Sequence, residues 1–341
     1  MNVGILGFAH GHVNSYCNRW REGPELGVTV TAGWDHYEAR AKRAAEGHGV
    51  RLFKTPGALL ESDVEAVVIA AETSMHADLV EEAAAAGKKI VLQKPMCLTM
   101  EEADRIVSAV EGTGVPFTMA WQMRVDPENM KIRELVKSGR LGRIFMVRRR
   151  HGLTTHRMKG FDESWHVDPR LNRDIFADDA AHAADFIYWM LGMPASVTAE
   201  LGSLLNPRVP NDNVIAIFRY ADGTFAEIVC PFACVTHENT TEVVAEKGTI
   251  IQNYGDGPSS GARPEGKGGL RWFVEDTGKW EDGPDAGFRR QGERIANLAG
   301  PLAEFLKGER GALATAREGR DVLRMILACY ESNESGRRVA L

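Results

Sequence analysis

Asp178 and His182 stand four residues apart in a run from Ile175 to Leu191 that is rich in alanine and large apolar residues. On a helix that spacing puts both side chains on one face, with Asp185 and Trp189 continuing the stripe. Ile175, Phe186, Ile187 and Met190 then lie on the other faces and are expected to bury the helix. An imidazole titrates near neutrality and is suited to take and return a proton. A carboxylate one turn away can orient that ring or hold a substrate hydroxyl. Lys94 follows the apolar run Lys89 to Leu92 and precedes Pro95. An ammonium at such a strand end can donate hydrogen bonds to a reacting oxygen and favour its alkoxide. The expected roles are His182 as general base and acid, Lys94 as polariser and proton relay, and Asp178 as orienter.

A second constellation opens the chain. The apolar run Val3 to Leu6 enters Gly7-Phe8-Ala9-His10-Gly11-His12. In a dinucleotide fingerprint the first glycine makes the tight turn, the second admits the pyrophosphate and the third allows close helix–strand packing. Gly7 holds the first place, Ala9 the second and His12 the third, with Gly11 one residue early. The helix that follows presents unpaired N–H groups to a pyrophosphate. Asp35 ends the next strand-like run, where a carboxylate accepts hydrogen bonds from an adenosine ribose and repels a 2′-phosphate. NAD is therefore the expected cofactor. Arg40 keeps NADP in second place, and Asp35 has an alternative use as an N-cap. His10 and His12 have no carboxylate or thiol nearby in sequence, so no metal is expected.

The elements that must position these groups follow from the pattern. Val28 to Gly33, Val64 to Ala70, Lys89 to Leu92 and Pro116 to Trp121 read as strands. They alternate with helices through Trp20 and from Asp78 to Ala86, which implies βαβ units and a parallel sheet. After Trp121 the grammar changes. A helix from Pro127 to Ser138 leads to a strand at Arg143 to Arg150, then to strands at Ser196 to Leu204, Val214 to Tyr220, Thr224 to Cys230 and Thr241 to Val244. Ala221-Asp222-Gly223 is a hairpin signal, and hairpin-linked strands favour an antiparallel sheet. Gly255 to Gly269 reads as a loop, Leu270 to Val274 as a strand, and Ile295 to Leu306 and Ala316 to Ser332 as helices. The expected fold is α/β. An N-terminal Rossmann domain occupies 1–121, and a C-terminal α/β domain with a large, mainly antiparallel open sheet occupies 122–341.

Bulk properties narrow the function. The chain has 341 residues, a formal net charge of -6 and no basic stripe, which argues against nucleic acid as partner. The run Arg148-Arg149-Arg150 is expected on a solvated or interface face. The five cysteines are scattered, with Cys230 and Cys234 expected as core thiols, so a reducing compartment is implied. Met1-Asn2 runs straight into a strand and leaves no room for a signal peptide. No apolar segment reaches bilayer length. A cytoplasmic protein without membrane partners is expected.

The run Gly87-Lys88-Lys89-Ile90-Val91-Leu92-Gln93-Lys94-Pro95 resembles the AGK-strand-EKP element of the glucose–fructose oxidoreductase/inositol dehydrogenase (Gfo/Idh/MocA) family, with Gln93 in place of Glu. Thr73 and His76 resemble its loop after the fourth strand, although Glu72 stands where Pro is common. Arg124 and Pro127 resemble its R-x-x-P. Asp178, His182 and Asp185 keep the places of its second-domain motif, whereas Asn172-Arg173-Asp174 replaces the glycine run. The resemblance implies oxidation of a hydroxyl on a sugar, cyclitol or related polyol, and a homo-oligomer (dimer or tetramer) paired through the open sheet. It places Gly7 to His12, Asp35, Ala71, Thr73, His76, Gln93, Lys94 and Gln122 at the cofactor. It places Arg124, His156, Trp165, His166, Asn172, Arg173, Asp178 and His182 at the substrate. Arg173 is expected to meet a polar or anionic substituent. Two alternatives are a redox-neutral NAD-dependent eliminating or glycoside-cleaving enzyme, and a catalytically silent NAD-binding sensor.

Overall fold

A computed structural model describes residues 1–154, 157–252, 269–284 and 291–341, and the chain divides into two compact units. The first comprises Met1–Gln122, Arg170–Asn172 and Arg294–Leu323. Its strands are β1 (Asn2–Leu6), β2 (Thr29–Trp34), β3 (Arg51–Leu52), β4 (Ala66–Ile69), β5 (Lys89–Leu92) and β6 (Phe117–Met119). They form one parallel sheet in the order β3-β2-β1-β4-β5-β6. Every residue of β4 is buried, as expected of a central parallel strand covered on both faces. The helices are α1 (His12–Glu22), α2 (Glu38–His48), α3 (Pro56–Leu60), α4 (His76–Ala85) and α5 (Met100–Thr113). Thr99 and Glu102 close the start of α5 with a capping box. The apolar pattern does not announce α2, because Ala41 is its only buried residue.

The second unit comprises Met123–Pro169, Arg173–Glu293 and Arg324–Leu341. It contains α6 (Pro127–Lys137) and α7 (Ile175–Leu191). Its strands are β7 (Ile144–Gly152), β8 (Ser196–Gly202), β9 (Asn213–Arg219), β10 (Phe225–Pro231), β11 (Glu238–Ala245), β12 (Gly248–Gln252), β13 (Leu270–Val274), β14 (Lys279–Asp282) and β15 (Val339–Ala340). They make a nine-stranded sheet ordered β14-β13-β12-β11-β7-β10-β9-β8-β15. Among the described residues only the β7/β10 pair is parallel, so the sheet is mainly antiparallel as expected. The hairpin at Ala221-Asp222-Gly223 is present, with Gly223 at φ 90° and its N–H on Tyr220 O at 3.1 Å.

Several sequence expectations are corrected. Arg149 is not solvated. Alternation along β7 sends Arg148 and Arg150 to one face and Arg149 to the other, where it is buried. There it donates to Thr241 Oγ1 at 2.6 Å and Gln252 Oε1 at 3.0 Å and lies over the Phe186 ring. Cys230 is buried, but Cys234 is only half-buried. The helix expected from Ile295 to Leu306 is two, α8 (Gln291–Asn297) and α9 (Ala299–Lys307). Pro301 lacks the N–H that would bond Asn297 O, and its ring crowds that carbonyl, so α8 ends there. α10 (Ala316–Ser335) closes the helical set. The loop expected from Gly255 to Gly269 lies outside the described residues except for Gly269.

The first unit is discontinuous in sequence, unlike the single cut expected after Trp121. Trp20 Nε1 donates to Ala299 O at 2.9 Å, and Lys89 Nζ to Leu306 O at 2.6 Å. Thr118 Oγ1 accepts from Leu313 N–H at 2.9 Å. These bonds seat residues 294–323 on the Rossmann sheet. Among the described residues no helix is long and apolar enough to cross a membrane.

Candidate active site

In the first unit the turn after β1 is built around Gly7, whose φ is 86°. A Cβ there would fall 2.4 Å from Ala71 Cα, so only glycine permits the close approach of the two strand ends. The Phe8 N–H is held by Asp35 Oδ2 at 2.7 Å, and His10 N–H bonds Ala70 O at 2.9 Å. His10 is buried and meets His12 edge-on, with ring centroids 4.5 Å apart. Ala9 and Gly11 complete the turn. Gly11 is the N-cap of α1, and a Cβ added to it would meet nothing within 4 Å. Open space beside a helix N-terminus, at the end of a glycine turn, fits a pyrophosphate. Asp35 does not cap α2; Tyr37 occupies that position, and Asp35 Oδ1 accepts its N–H at 2.8 Å.

The loops after β4 and β5 are tied to each other. His76 Nδ1 faces Pro95 O at 3.0 Å and Met96 O at 3.1 Å, and Nε2 faces Ala71 O at 3.2 Å. Burial holds this imidazole below its ordinary pKa, against the pull of the surrounding carbonyls. His76 therefore braces the loop that carries Lys94. Lys94 is buried and precedes a cis peptide to Pro95. Gln93 Nε2 donates to Tyr16 Oη at 2.8 Å, linking the residue before Lys94 to α1. Thr73 Oγ1 donates to Asn172 Oδ1 at 2.5 Å, so Asn172 serves this loop. Gln122 is buried at the start of a short 3-10 turn.

The second unit carries Asp178 and His182, the acid–base residues expected from the sequence, on α7. Asp174 caps the helix: its Oδ1 accepts from Ala177 N–H at 2.9 Å and Tyr330 Oη at 2.6 Å, and its Oδ2 from Asn211 at 2.7 Å. Burial raises the Asp174 carboxyl above its ordinary range, although the three donors oppose it. Asp178 lies one turn on and is buried, with Oδ2 2.6 Å from His166 Nδ1. His166 is stacked on Trp165, centroids 3.9 Å apart, and flanked by Phe161. Asp178 thus has His166 as an imidazole partner. His182 is buried, and its ring lies 5.7 Å from that of His151 on β7. Arg124 is also buried, with Nη2 2.7 Å and Nε 3.1 Å from Asp185 Oδ1. Arg173 takes φ 69° and places its guanidinium 5.2 Å from the Tyr330 ring centre. His156 lies outside the described residues. Among the described residues no group of three or more His, Cys, Asp or Glu could hold a metal ion.

Two family models cover most of the chain. "Oxidoreductase family, NAD-binding Rossmann fold" matches residues 1–121, and "GFO/IDH/MocA C-terminal domain" matches 129–251. The chain belongs to the GFO/IDH/MocA oxidoreductase family. NAD is the cofactor of its Rossmann domain, and the turn, the α1 N-terminus and Asp35 fit it. Myo-inositol dehydrogenase Hyg17 of Streptomyces leeuwenhoekii is 28% identical over 89% of this chain and 89% of its own length. Inositol 2-dehydrogenase of Rhizobium meliloti is 29% identical over 63% of this chain and 65% of its own length. A levoglucosan dehydrogenase structure shares the fold across 100% of this chain and 99% of its own, with TM-score 0.82 and 20% identity.

Within this GFO/IDH/MocA chain, sequence reasoning missed His151, Asp174 and the Arg124–Asp185 pair. His151 sat unmarked at the end of an arginine-rich strand. Its alternation with Val147 and Arg149 was the available signal that it faces α7. The ion pair had no such signal, because 61 residues separate its members.

Proposed function

We propose that this chain reversibly oxidises a secondary hydroxyl of a sugar, cyclitol or related polyol, using NAD. The observation that carries the reading is the buried set on α7, with Asp178 bonded to His166 and His182 beside His151. Buried imidazole and carboxylate side chains on one helix are suited to proton transfer from a bound hydroxyl. Two relatives named as inositol dehydrogenases support the substrate class.

NAD, when bound, supplies the acceptor for the hydride. The substrate hydroxyl proton passes to His182 as its C–O bond becomes a carbonyl, and in reduction His182 returns it. Lys94 donates a hydrogen bond to the reacting oxygen and stabilises its developing negative charge. Asp178, oriented by His166, holds a neighbouring substrate hydroxyl. The turn from Gly7 to His12, with the open N-terminus of α1 at Gly11, would hold the pyrophosphate, and Asp35 would accept from the adenosine ribose. Arg173 contributes a cation to the substrate side.

The open sheet face is the surface by which the chain pairs with copies of itself. Ile215, Ile217, Phe225 and Ile251 are exposed there, around ion pairs of Arg148 with Glu227 and Glu242. A patch of this kind on a sheet face is what an oligomer covers. The protein works in the cytoplasm.

The test is NADH absorbance at mildly alkaline pH over inositols, aldoses and sugar acids. Lys94→Ala and His182→Ala are expected to lower kcat by about 100-fold or more. Turnover without net NADH supports the redox-neutral reading instead. NAD binding with no turnover of any of these compounds supports the sensor.

A further inference from the structure

Asp35 and Glu72 share one guanidinium. Arg40 Nε donates to Asp35 Oδ2 at 2.7 Å. Its Nη2 donates to Asp35 Oδ1 at 2.9 Å and to Glu72 at 2.8 and 3.1 Å. Asp35 also accepts the Phe8 and Tyr37 N–H groups at 2.7 and 2.8 Å. A carboxylate offers about four lone-pair positions, so these four donors fill Asp35. Glu72 is buried in the loop after β4, and the His36 ring lies 3.5 Å from it and 3.7 Å from Asp35. One guanidinium against two carboxylates leaves the Arg40–Asp35–Glu72 set with net negative charge.

A ribose hydroxyl that is to donate to Asp35 must displace one of the Arg40 bonds. Arg40 can give one up without being left unpaired, because Nη2 already rests on Glu72. A 2′-phosphate makes the opposite demand. It needs Arg40 drawn off both carboxylates, and it brings a dianion beside them. We propose that Glu72 sets the dinucleotide preference of this enzyme. It anchors Arg40 when the ribose claims Asp35 and withholds Arg40 from a 2′-phosphate. The proposal rests on NAD binding by the first unit and not on the substrate assigned above.

Calorimetric titration of the 341-residue chain with NAD and with NADP, without substrate, tests it. Glu72→Gln is expected to lower the ratio of Kd for NADP to Kd for NAD by about tenfold or more. Arg40→Ala, which leaves both carboxylates unneutralised, is expected to raise that ratio. It also carries the test if Glu72→Gln fails a thermal-melt check of folding. In the Arg40→Ala background the added Glu72→Gln change is expected to move the ratio less than it does in the wild type, because the hold on Arg40 is gone and only direct repulsion of the 2′-phosphate by Glu72 remains. A ratio that stays within about twofold of wild type in Glu72→Gln overturns the proposal. So does a parallel loss of both affinities, or an undiminished Glu72→Gln effect without Arg40. Failure of the wild type to bind either dinucleotide overturns it together with the cofactor assignment, whatever the substrate screen yields.

Discussion

Arg124 and Asp185 show how far a single side chain can be repurposed by its surroundings. Sequence resemblance placed Arg124 at the substrate, yet its guanidinium is buried against a buried carboxylate on α7. Removing one member leaves the other charge desolvated, which costs about 3–5 kcal/mol. Arg124→Met is expected to lower stability by that amount in urea titration, and Asp185→Leu added to it to recover most of the loss. A double variant no more stable than the single one sinks the ion-pair account. Asp178 and His182 were legible because helical spacing is a local property. The partner of Asp178 was not, since Trp165 and His166 approach through a 3-10 turn that leaves no periodic trace. Asp35 was legible for its place at a strand end. The second carboxylate on Arg40 was not, because it comes from the loop after a different strand.

Among the elements, α7 depends most on its first residue. Asp174 receives three donors, and Asp174→Ala is expected to cost at least about 1 kcal/mol, as loss of an N-cap does. The burial-raised carboxyl of Asp174 fixes the sign of its pH dependence. A group whose pKa is raised by folding favours the native state most when protonated, and that contribution falls as pH climbs through its folded value. The stability gap between wild type and Asp174→Ala should therefore be widest below about pH 4 and shrink upward. A gap that grows with pH would contradict this. The bounds of α7 and β5 were read correctly because uninterrupted apolar runs with clear ends leave little choice. β12 and β14 were not read. β14 is four residues long with no buried side chain, and β12 carries only two buried residues. Edge pairing, rather than composition, makes β14 a strand.

At the scale of the molecule, the nine-stranded sheet presents two unlike faces. One is packed under α7, where Arg149, His151 and Val147 are buried. The other carries Ile217 at 45% exposure and Ile215 at 50%. If copies pair through this face, Ile217→Lys is expected to shift the species seen by sedimentation velocity toward monomer while leaving the thermal melt of the monomer intact. An unchanged mass distribution would remove the face from the assembly. The mainly antiparallel character of this sheet was foreseen from the hairpin at Asp222-Gly223. The parallel β7/β10 pair was not, since a crossover partner is set by tertiary packing.

The seating of residues 294–323 on the Rossmann sheet also governs how the chain is made. A ribosome adding about 5–20 residues per second releases residue 122 well before residue 323, the last of the first unit. The interval is about 10–40 seconds. For that time the indole of Trp20 and the ammonium of Lys89 have no carbonyl from Ala299 or Leu306 to meet. The nascent nucleotide-binding unit must wait, incomplete, while every strand of the second sheet but β15 is synthesised. A chain stopped before α9 is therefore a substrate for chaperones and proteases, however native its first hundred residues look in sequence.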